Sequence, residues 1–186
     1  MKDIEIKLEK EKLINYVKNK ITKDDLSTIE MSILDKNDPF LSYLFAREIK
    51  NCNLSSHLKV VTDSNDYQTM YTFAMEIDCD KTLITEKIAK SGIAKWMYFL
   101  AWAKGVDIKL LEDSILETGD INYIYMFGLD VPQANKERIA KYILQSGNIY
   151  YINLLGRYGI KRGVRENAIK EAEEKIKKEM KLTMKK

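Results

Sequence analysis

The sequence predicts an all-α protein, an α-solenoid of five stacked helical hairpins with a capping helix at each end. A helix-ending turn recurs five times, at intervals of 28, 27, 27 and 28 residues. Residues that commonly begin helices recur at the same intervals, and the chain of 186 residues has only two Pro and eight Gly. Because a hairpin of this length cannot bury its apolar face alone, the copies are expected to stack on one another.

Each turn combines a residue suited to a left-handed backbone with a residue suited to cap the next helix. Gly or Asn is expected where the first helix ends. Asp or Asn follows in four copies, where its side chain can accept from the free amides of the second helix. The third copy has Ile93 there, so a weaker cap is expected. The five turns are Lys36-Asn37-Asp38, Ser64-Asn65-Asp66, Ser91-Gly92-Ile93, Thr118-Gly119-Asp120 and Ser146-Gly147-Asn148.

The first helix of each hairpin repeats a cap residue and two core positions. The core positions are four residues apart and therefore share one helical stripe. The expected caps are Asp25, Asn53, Asp80, Asp107 and Asn135. The core columns are Ile33, Val61, Ile88, Ile115 and Ile143, preceded by Ile29, His57, Ile84, Leu111 and Ile139.

The second helix carries an apolar stripe whose third member is always Ala or Gly. In the fourth copy the stripe is Ile124, Phe127, Gly128 and Val131. A small residue at one position in every copy predicts a close approach of two backbones there, and the two helices of the same hairpin are the expected pair. The small residues are Ala46, Ala74, Ala101, Gly128 and Gly156.

We expect a single helical-repeat domain over residues 1–186. Residues 1–22 form an N-terminal cap, in which Ile14, Val17 and Ile21 continue the second-helix stripe. The repeats cover 23–50, 51–78, 79–105, 106–132 and 133–160, and residues 161–186 form a basic C-terminal capping helix. No apolar run is long enough to span a membrane and the N-terminus lacks an apolar signal core, so a cytoplasmic location without membrane association is expected.

Nothing in the sequence predicts catalysis or a cofactor. His57 is the single histidine and is interpreted as a structural residue in an aliphatic column. One histidine and two cysteines predict no His/Cys zinc site, and no metal is expected. Cys52 and Cys79 occupy the same position in adjacent repeats, too far apart for a disulfide, and are interpreted as small packing residues. The carboxylates of one column, Glu48, Glu76 and Asp130, are interpreted as a solvated ladder.

The outward face of the second helices is more apolar than a solvated helix requires. Aromatic, Met and Arg side chains exposed on such a face are typical of a protein-binding site. The alternative is that the second helices form an inner layer that buries these side chains. The residues predicted to contact a partner protein are Phe40, Arg47, Lys95, Phe99, Trp102, Asn122, Met126, Tyr150 and Arg157.

A tyrosine column flanks the core of the second helices. Its hydroxyls are expected to reach a backbone carbonyl of the neighbouring repeat. A base-stacking ladder for single-stranded RNA is the alternative. The slightly acidic body disfavours that alternative, because strand binding requires a basic groove. The column consists of Tyr43, Tyr71, Tyr98 and Tyr125, with Asn153 in the fifth copy.

Charge is concentrated at the C-terminal end. Residues 157–186 carry 11 Lys and Arg against 5 Asp and Glu, whereas residues 1–156 carry 20 against 23. A basic end attracts nucleic acid or an acidic protein, and it is also typical of a Lys-rich capping helix. The alternative nucleic-acid or nucleoprotein contacts are Arg157, Lys161, Arg162 and Arg165.

The recurring motif Ser/Thr-Gly-Asp/Asn-x-x-Tyr-Ile/Met-Tyr-x-Phe-Ala/Gly covers about residues 24–159. It resembles the short hairpin repeats of helical-array proteins from low-GC bacteria and their phages. The resemblance implies an α-solenoid with an interaction role and carries over no catalytic residue. Phage proteins of this size include inhibitors of host defence systems. We therefore expect a non-enzymatic adaptor or inhibitor that engages a protein partner through its second helices.

Overall fold

A computed structural model describes residues 2–20, 22 and 25–183, and over these residues the chain is all-α. They form twelve α-helices and one 3-10 helix, Leu155–Tyr158. The start of the first expected repeat at residues 23–24 and the cap residue Ile21 lie outside the described residues. The α-helices are α1 Lys2–Lys20, α2 Leu26–Leu34, α3 Pro39–Glu48, α4 Leu54–Asp63, α5 Tyr67–Glu76, α6 Thr82–Lys90, α7 Ala94–Leu100, α8 Ile108–Thr118, α9 Ile121–Asp130, α10 Lys136–Gln145, α11 Ile149–Leu154 and α12 Arg162–Thr183.

The second helices begin at the expected cap residues. Asp38, Asp66, Asp120 and Asn148 each accept a hydrogen bond from the amide three residues later, at 2.8–3.3 Å. Ile93 precedes α7 without a side-chain cap, as the sequence predicts. Satisfying one amide at the start of a helix contributes about 1 kcal/mol, so α7 begins with a weaker cap than α3, α5, α9 and α11.

The first helices begin at the expected cap residue, with its side-chain hydrogen bond, in three of five copies. The side chains of Asn53, Asp107 and Asn135 cap α4, α8 and α10, and Asp80 accepts from the amide of Thr82 at 2.9 Å. Asp25 makes no such bond. Asp25 therefore stands at the expected N-cap position of α2, but its carboxylate accepts from the Thr22 hydroxyl at 2.5 Å and does not cap the helix.

The left-handed turn position is confirmed in four copies and wrong in one. Gly92, Gly119 and Gly147 have φ of 69–73°, and Asn37 has φ of 46°. In the second copy α4 ends at Asp63, the following Ser64 has an extended backbone, and Asn65 has no positive φ. The Ser64 hydroxyl donates to the Val61 carbonyl and accepts from the Asp66 amide, and Thr118 and Ser146 make the same two bonds in turns that contain a left-handed Gly.

The chain divides into two compact units, and the first consists of Met1–Ile88 with Trp102–Val106. In this unit α3 packs against α1, α2, α4 and α5, and α2 packs against α4. Ile14 and Val17 of α1 are buried, in agreement with the cap stripe. The core of the first two copies contains Phe45, Val61 and Phe73, each with no exposed surface.

The second unit consists of Ala89–Ala101 with Asp107–Lys186. Here α9 packs against α7, α8, α10 and α11, so each second helix contacts the second helix of the neighbouring copy. Helix α12 packs on α10 and α11 through a side that includes the buried Ala172. The rest of α12 is largely exposed, as expected for an amphipathic helix that covers the last hairpin.

The small residue of the fourth copy meets a different neighbour from the one expected. A β-carbon built on Gly128 would lie 2.8 Å from Ile139 Cγ2, on the first helix of the next copy, and 2.5 Å from the Tyr158 hydroxyl. The close approach therefore joins successive hairpins and not the two helices of one hairpin. In the fifth copy, a β-carbon built on Gly156 would lie 3.3 Å from the guanidinium of Arg165.

Candidate interaction surface

The second helices of the second unit have an unusual composition for surface helices. Helices α7, α9 and α11 hold eight aromatic side chains but only two charged ones, Lys95 and Asp130. The first helices α8 and α10 of the same unit hold eight charged side chains and one aromatic, Tyr142. Depletion of charge together with enrichment in aromatic residues distinguishes the core of protein–protein interfaces from ordinary surface.

The aromatic side chains of these three helices contact one another along the unit. Trp96 and Phe99 of α7 have ring centroids 6.1 Å apart, and Tyr98 of α7 lies 6.0 Å from Tyr123 of α9. Further along, Tyr125 of α9 lies 5.6 Å from Tyr151 of α11, which meets Tyr150 edge to face at 5.0 Å. We call the surface formed by α7, α9 and α11 the aromatic face.

The accessible part of the aromatic face carries a cation and several hydrogen-bonding groups. The exposed Lys95 ammonium lies 5.1 Å from the Trp96 ring centroid and 6.0 Å from that of Phe99. Tyr150 is 66% exposed, and the Tyr151 hydroxyl donates to the Asn122 side chain at 3.0 Å. Large rings held by neighbouring rings lose little side-chain entropy when a partner binds, which favours affinity.

A buried tyrosine joins the second helices beneath this face. The Tyr98 hydroxyl donates to Asp130 Oδ2 at 2.8 Å, from α7 to α9. The same link occurs in the first unit, where Tyr43 donates to Glu76 Oε2 at 2.5 Å. The predicted acceptor, a backbone carbonyl, was wrong for these two residues. The acceptors are the carboxylates of the column interpreted as a solvated ladder, so Glu76 and Asp130 have a structural role.

Burial and the carboxylate partner hold the tyrosine proton. Burial, reinforced by the hydrogen bond to Glu76, raises the pKa of Tyr43 to about 12. Arg47 donates to the same hydroxyl at 2.8 Å and opposes that rise. In the fifth copy Tyr158 stands in the carboxylate column, and its hydroxyl donates to the Tyr125 carbonyl. The acceptor is a backbone carbonyl, as predicted, but the donor lies in the carboxylate column and the acceptor in the tyrosine column, which reverses the expected direction.

The predicted partner-binding residues are divided between the two units. In the second unit Lys95, Asn122, Tyr150 and Arg157 are exposed, while Phe99 and Met126 are half-buried. In the first unit Arg47 and Trp102 are exposed and Phe40 is half-buried. The aromatic face brings together five of these nine residues, Lys95, Phe99, Asn122, Met126 and Tyr150.

The equivalent surface of the first unit, on α3, is less accessible to solvent. Leu44, which occupies in the first copy the position of Phe99 and Met126, is only 1% exposed. Phe40 lies under the Lys7 ammonium at 5.2 Å, and Arg47 forms ion pairs with Glu48 and Glu76. Helix α3 therefore presents less accessible apolar surface than the aromatic face does.

Trp102 is the exception in the first unit. Its side chain is 49% exposed, and it lines a shallow groove with Met75, which is 45% exposed. The two residues share one column of the predicted outward face, at positions 27 apart. The groove also contains Glu76, Asp78 and Lys81, so its rim is charged.

The basic residues near the C-terminus have mixed roles. Arg157, Lys161 and Arg162 are exposed, and Arg162 pairs with Glu166 one helical turn later. Arg165 is half-buried, and its guanidinium donates to the backbone carbonyls of Asn153 and Ile160. Its hydrogen bonds hold the chain before α12, so Arg165 is already engaged within the protein.

One cluster of potential metal ligands was missed by the sequence interpretation of His57. The fully buried His57 lies 3.1 Å from a carboxylate oxygen of Glu30, and the Cys52 thiol lies beside them. Burial lowers the pKa of His57, against the attraction of the Glu30 charge. The sequence signal was available: Glu30 and His57 are 27 residues apart, one repeat length, as neighbouring positions on stacked first helices would be.

Among the described residues, no helix combines the length and the apolarity needed to cross a bilayer. Comparisons with protein-family models, with curated proteins and with solved structures find no match to this chain.

Proposed function

We propose that this protein is a non-enzymatic binding protein, an adaptor or an inhibitor, that engages a protein partner through the aromatic face. The observation that carries the proposal is that five aromatic side chains and a single cation, Lys95, reach the surface on three adjacent helices. The five are Trp96, Phe99, Tyr123, Tyr150 and Tyr151, whereas Tyr98, Tyr125 and Phe127 are buried. Interfaces derive most of their binding energy from a few such anchors surrounded by less important contacts. The partner that fits is a protein segment with apolar side chains and a carboxylate opposite Lys95.

The repeat architecture supports this proposal. Successive second helices pack against each other within each unit, α3 on α5 and α7 on α9. We propose that all five hairpins continue this arrangement as an α-solenoid, which would present the second helices as an extended binding surface. We also propose a cytoplasmic site of action, as the sequence predicts, and inhibition of a host defence system by a phage protein, as the resemblance of the repeats implies.

Nucleic-acid binding is the alternative function. The exposed residues Arg157, Lys161 and Arg162 favour it, because phosphate contacts need accessible cations. Arg162 is paired with Glu166 and Arg165 is engaged with backbone carbonyls, which leaves a small basic patch. The aromatic face carries one cation, whereas single-strand binding combines stacking with a basic groove. The protein partner is therefore the better supported class.

Affinity capture from a native host lysate, with and without nuclease, tests the proposal. The bait is compared with the double variant Lys95→Glu/Tyr150→Ala, which changes two exposed residues of the aromatic face. A matched double variant, Lys109→Glu/Ile176→Ala, makes the same kinds of change at exposed positions on α8 and α12. We expect one protein to be captured despite nuclease, lost with the first variant and kept with the second.

Two outcomes would overturn the proposal. Capture that disappears with nuclease and with Arg162→Glu would move the site to the basic residues and establish the alternative. Capture that is equal for both double variants would remove the aromatic face from binding. The purified complex gives a further check, because an interface of aromatic anchors should lose less affinity with added salt than phosphate binding does.

A further inference from the structure

Three chemically reactive side chains of the first unit converge where α2 meets the start of α4. The carboxylate of Glu30, the thiol of Cys52 and the imidazole of His57 place one ligand atom each within 4.8 Å of one another. His57 is completely buried, and the Glu30 side chain is only 12% exposed. Their residue types, carboxylate, thiolate and imidazole, are the ligands that zinc takes in proteins.

We propose that Glu30, Cys52 and His57 bind a zinc ion. Zinc–ligand distances of about 2.0–2.3 Å in a tetrahedral site place ligand atoms about 3.5 Å apart. Glu30 Oε1 and His57 Nε2 are already 3.1 Å apart. Closing the cluster around an ion therefore requires side-chain shifts on the order of 1 Å, and a water molecule takes the fourth position.

The charges of the cluster balance on binding. A zinc ion with one carboxylate, one thiolate and a neutral imidazole forms a neutral site, which can be buried without an uncompensated charge. Zinc binds the neutral imidazole of His57 and the thiolate of Cys52, so the Cys52 thiol releases its proton to solvent as the metal binds.

The repeats supply an internal comparison for this site. Glu112 occupies the position of Glu30 in the fourth copy, and each carboxylate accepts from the amide of the next first-helix cap, Asn135 or Asn53. Glu112 is 4% exposed and pairs with the guanidinium of Arg138 at 3.2 Å. The positive charge beside this buried carboxylate is therefore an arginine in the fourth copy.

Three residues around Glu30, in the first two copies, differ from their counterparts around Glu112. Ser56 stands at the position of Arg138, so no arginine is supplied there. Cys52 replaces Ala134 and His57 replaces Ile139, so two metal ligands appear where the fourth pair has two apolar side chains. A zinc ion held by them would supply to Glu30 the positive charge that Arg138 supplies to Glu112.

Two of the ligands are oriented without the metal. The Glu30 carboxylate is held by the Asn53 amide, and the Phe45 ring stacks on the His57 imidazole with centroids 5.0 Å apart. Ligands fixed by neighbouring groups bind metal more tightly than mobile ones. Because Glu30 comes from α2 and His57 from α4, the ion would link the first two repeats and stabilise the folded chain by mass action.

Cys79 provides a matched control for Cys52. The two thiols occupy the same repeat position, are both free and half-buried, and burial raises the pKa of both. Around Cys79, however, the positions of Glu30 and His57 are taken by Leu58 and Ile84. Only Cys52 should therefore contribute to metal binding.

The test uses the full chain after removal of metal with a chelator. Zinc is titrated in competition with a chromogenic chelator, and cobalt is added as a spectroscopic substitute. We expect one equivalent to bind, a thiolate-to-cobalt charge-transfer band, and a higher melting temperature with zinc. Cys52→Ser should abolish all three, and Cys79→Ser should keep them.

A second variant separates coordination from folding. Glu30→Gln keeps an oxygen acceptor for the Asn53 amide but removes the carboxylate, so it should weaken zinc binding while the metal-free melting temperature changes little. Absence of stoichiometric binding, a cobalt complex without the thiolate band, or equal binding by Cys52→Ser and Cys79→Ser would overturn the site. None of these readouts depends on the partner protein, so this proposal and the proposed function can fail independently.

Discussion

The close approach at Gly128 gives a sharp test of how successive hairpins pack. An alanine there would place its β-carbon 2.8 Å from Ile139 Cγ2, 3.0 Å from Ile139 Cδ1 and 2.5 Å from the Tyr158 hydroxyl. Neither of these two side chains can move away at a small cost in free energy. Ile139 is fully buried and branched at its β-carbon, and the Tyr158 hydroxyl is bonded to the Tyr125 carbonyl.

The expected magnitude follows from two opposing effects. Forcing an additional methyl group into a packed core costs about 1–3 kcal/mol. Replacing Gly with Ala inside a helix stabilises that helix by about 1 kcal/mol, because Ala has the higher helix propensity. We therefore expect Gly128→Ala to lower the free energy of unfolding by about 1 kcal/mol, with Gly128→Val lowering it further because its side chain is larger.

Urea denaturation followed by circular dichroism measures this change. Gly163→Ala is the matched control, because Gly163 lies in α12 and a β-carbon there meets no atom within 4 Å. It should leave stability unchanged or raise it by up to about 0.5–1 kcal/mol. A protein of this size should show a change of about 2–4 °C in melting temperature for each kcal/mol.

A double-mutant cycle identifies the atom responsible. Tyr158→Phe removes the hydroxyl that lies 2.5 Å from the built β-carbon, so Gly128→Ala should cost less in that background than in the wild type. A Gly128→Ala protein as stable as the wild type, or a cost unchanged by Tyr158→Phe, would refute the steric reasoning.

Two further predictions concern the missing cap and the buried tyrosine. Ile93→Asp should raise the free energy of unfolding by about 0.5–1 kcal/mol, because α7 lacks a side-chain cap, and Ile93→Ala, which removes the same apolar surface without adding a cap, should not. Tyr43 has a pKa raised from 10.0 to about 12, so its folded form retains the proton that the unfolded chain loses. Its stabilising contribution is complete below pH 10 and is lost as the pH rises through about 12. Urea denaturation at pH 9 and pH 11 should therefore show a larger loss for the wild type than for Tyr43→Phe; equal losses would contradict the assignment.

Local structure was largely predictable from the sequence because its causes are local. Helix caps act within three residues, which is why Asp38, Asp66, Asp120 and Asn148 begin helices as expected and Ile93 does not. The core columns follow from helical spacing, and the residues of the Ile33 column are all buried. The exception is Asn65, because a residue with a β-carbon adopts a left-handed backbone less readily than the Gly of the last three copies.

The candidate site was predictable only in part. Its location on the second helices, and residues such as Lys95 and Tyr150, follow from composition and periodicity. The burial of Leu44 does not follow from composition and periodicity. The burial of an outward position depends on which helices lie over it, and α3 packs against α1 as well as α5. Aromatic contacts between helices, such as Tyr98 with Tyr123, likewise depend on packing.

The helices, most of their caps, the repeat period and the buried stripes follow from the amino-acid sequence, because each depends on interactions within a few residues or on the spacing of apolar side chains. The tertiary structure decided which side chains of different copies meet. It paired Tyr98 with Asp130, pressed Ile139 against Gly128, and brought Glu30 to Cys52 and His57. These contacts join positions more than ten residues apart, and their geometry depends on how helices pack, which the period of a repeat does not specify.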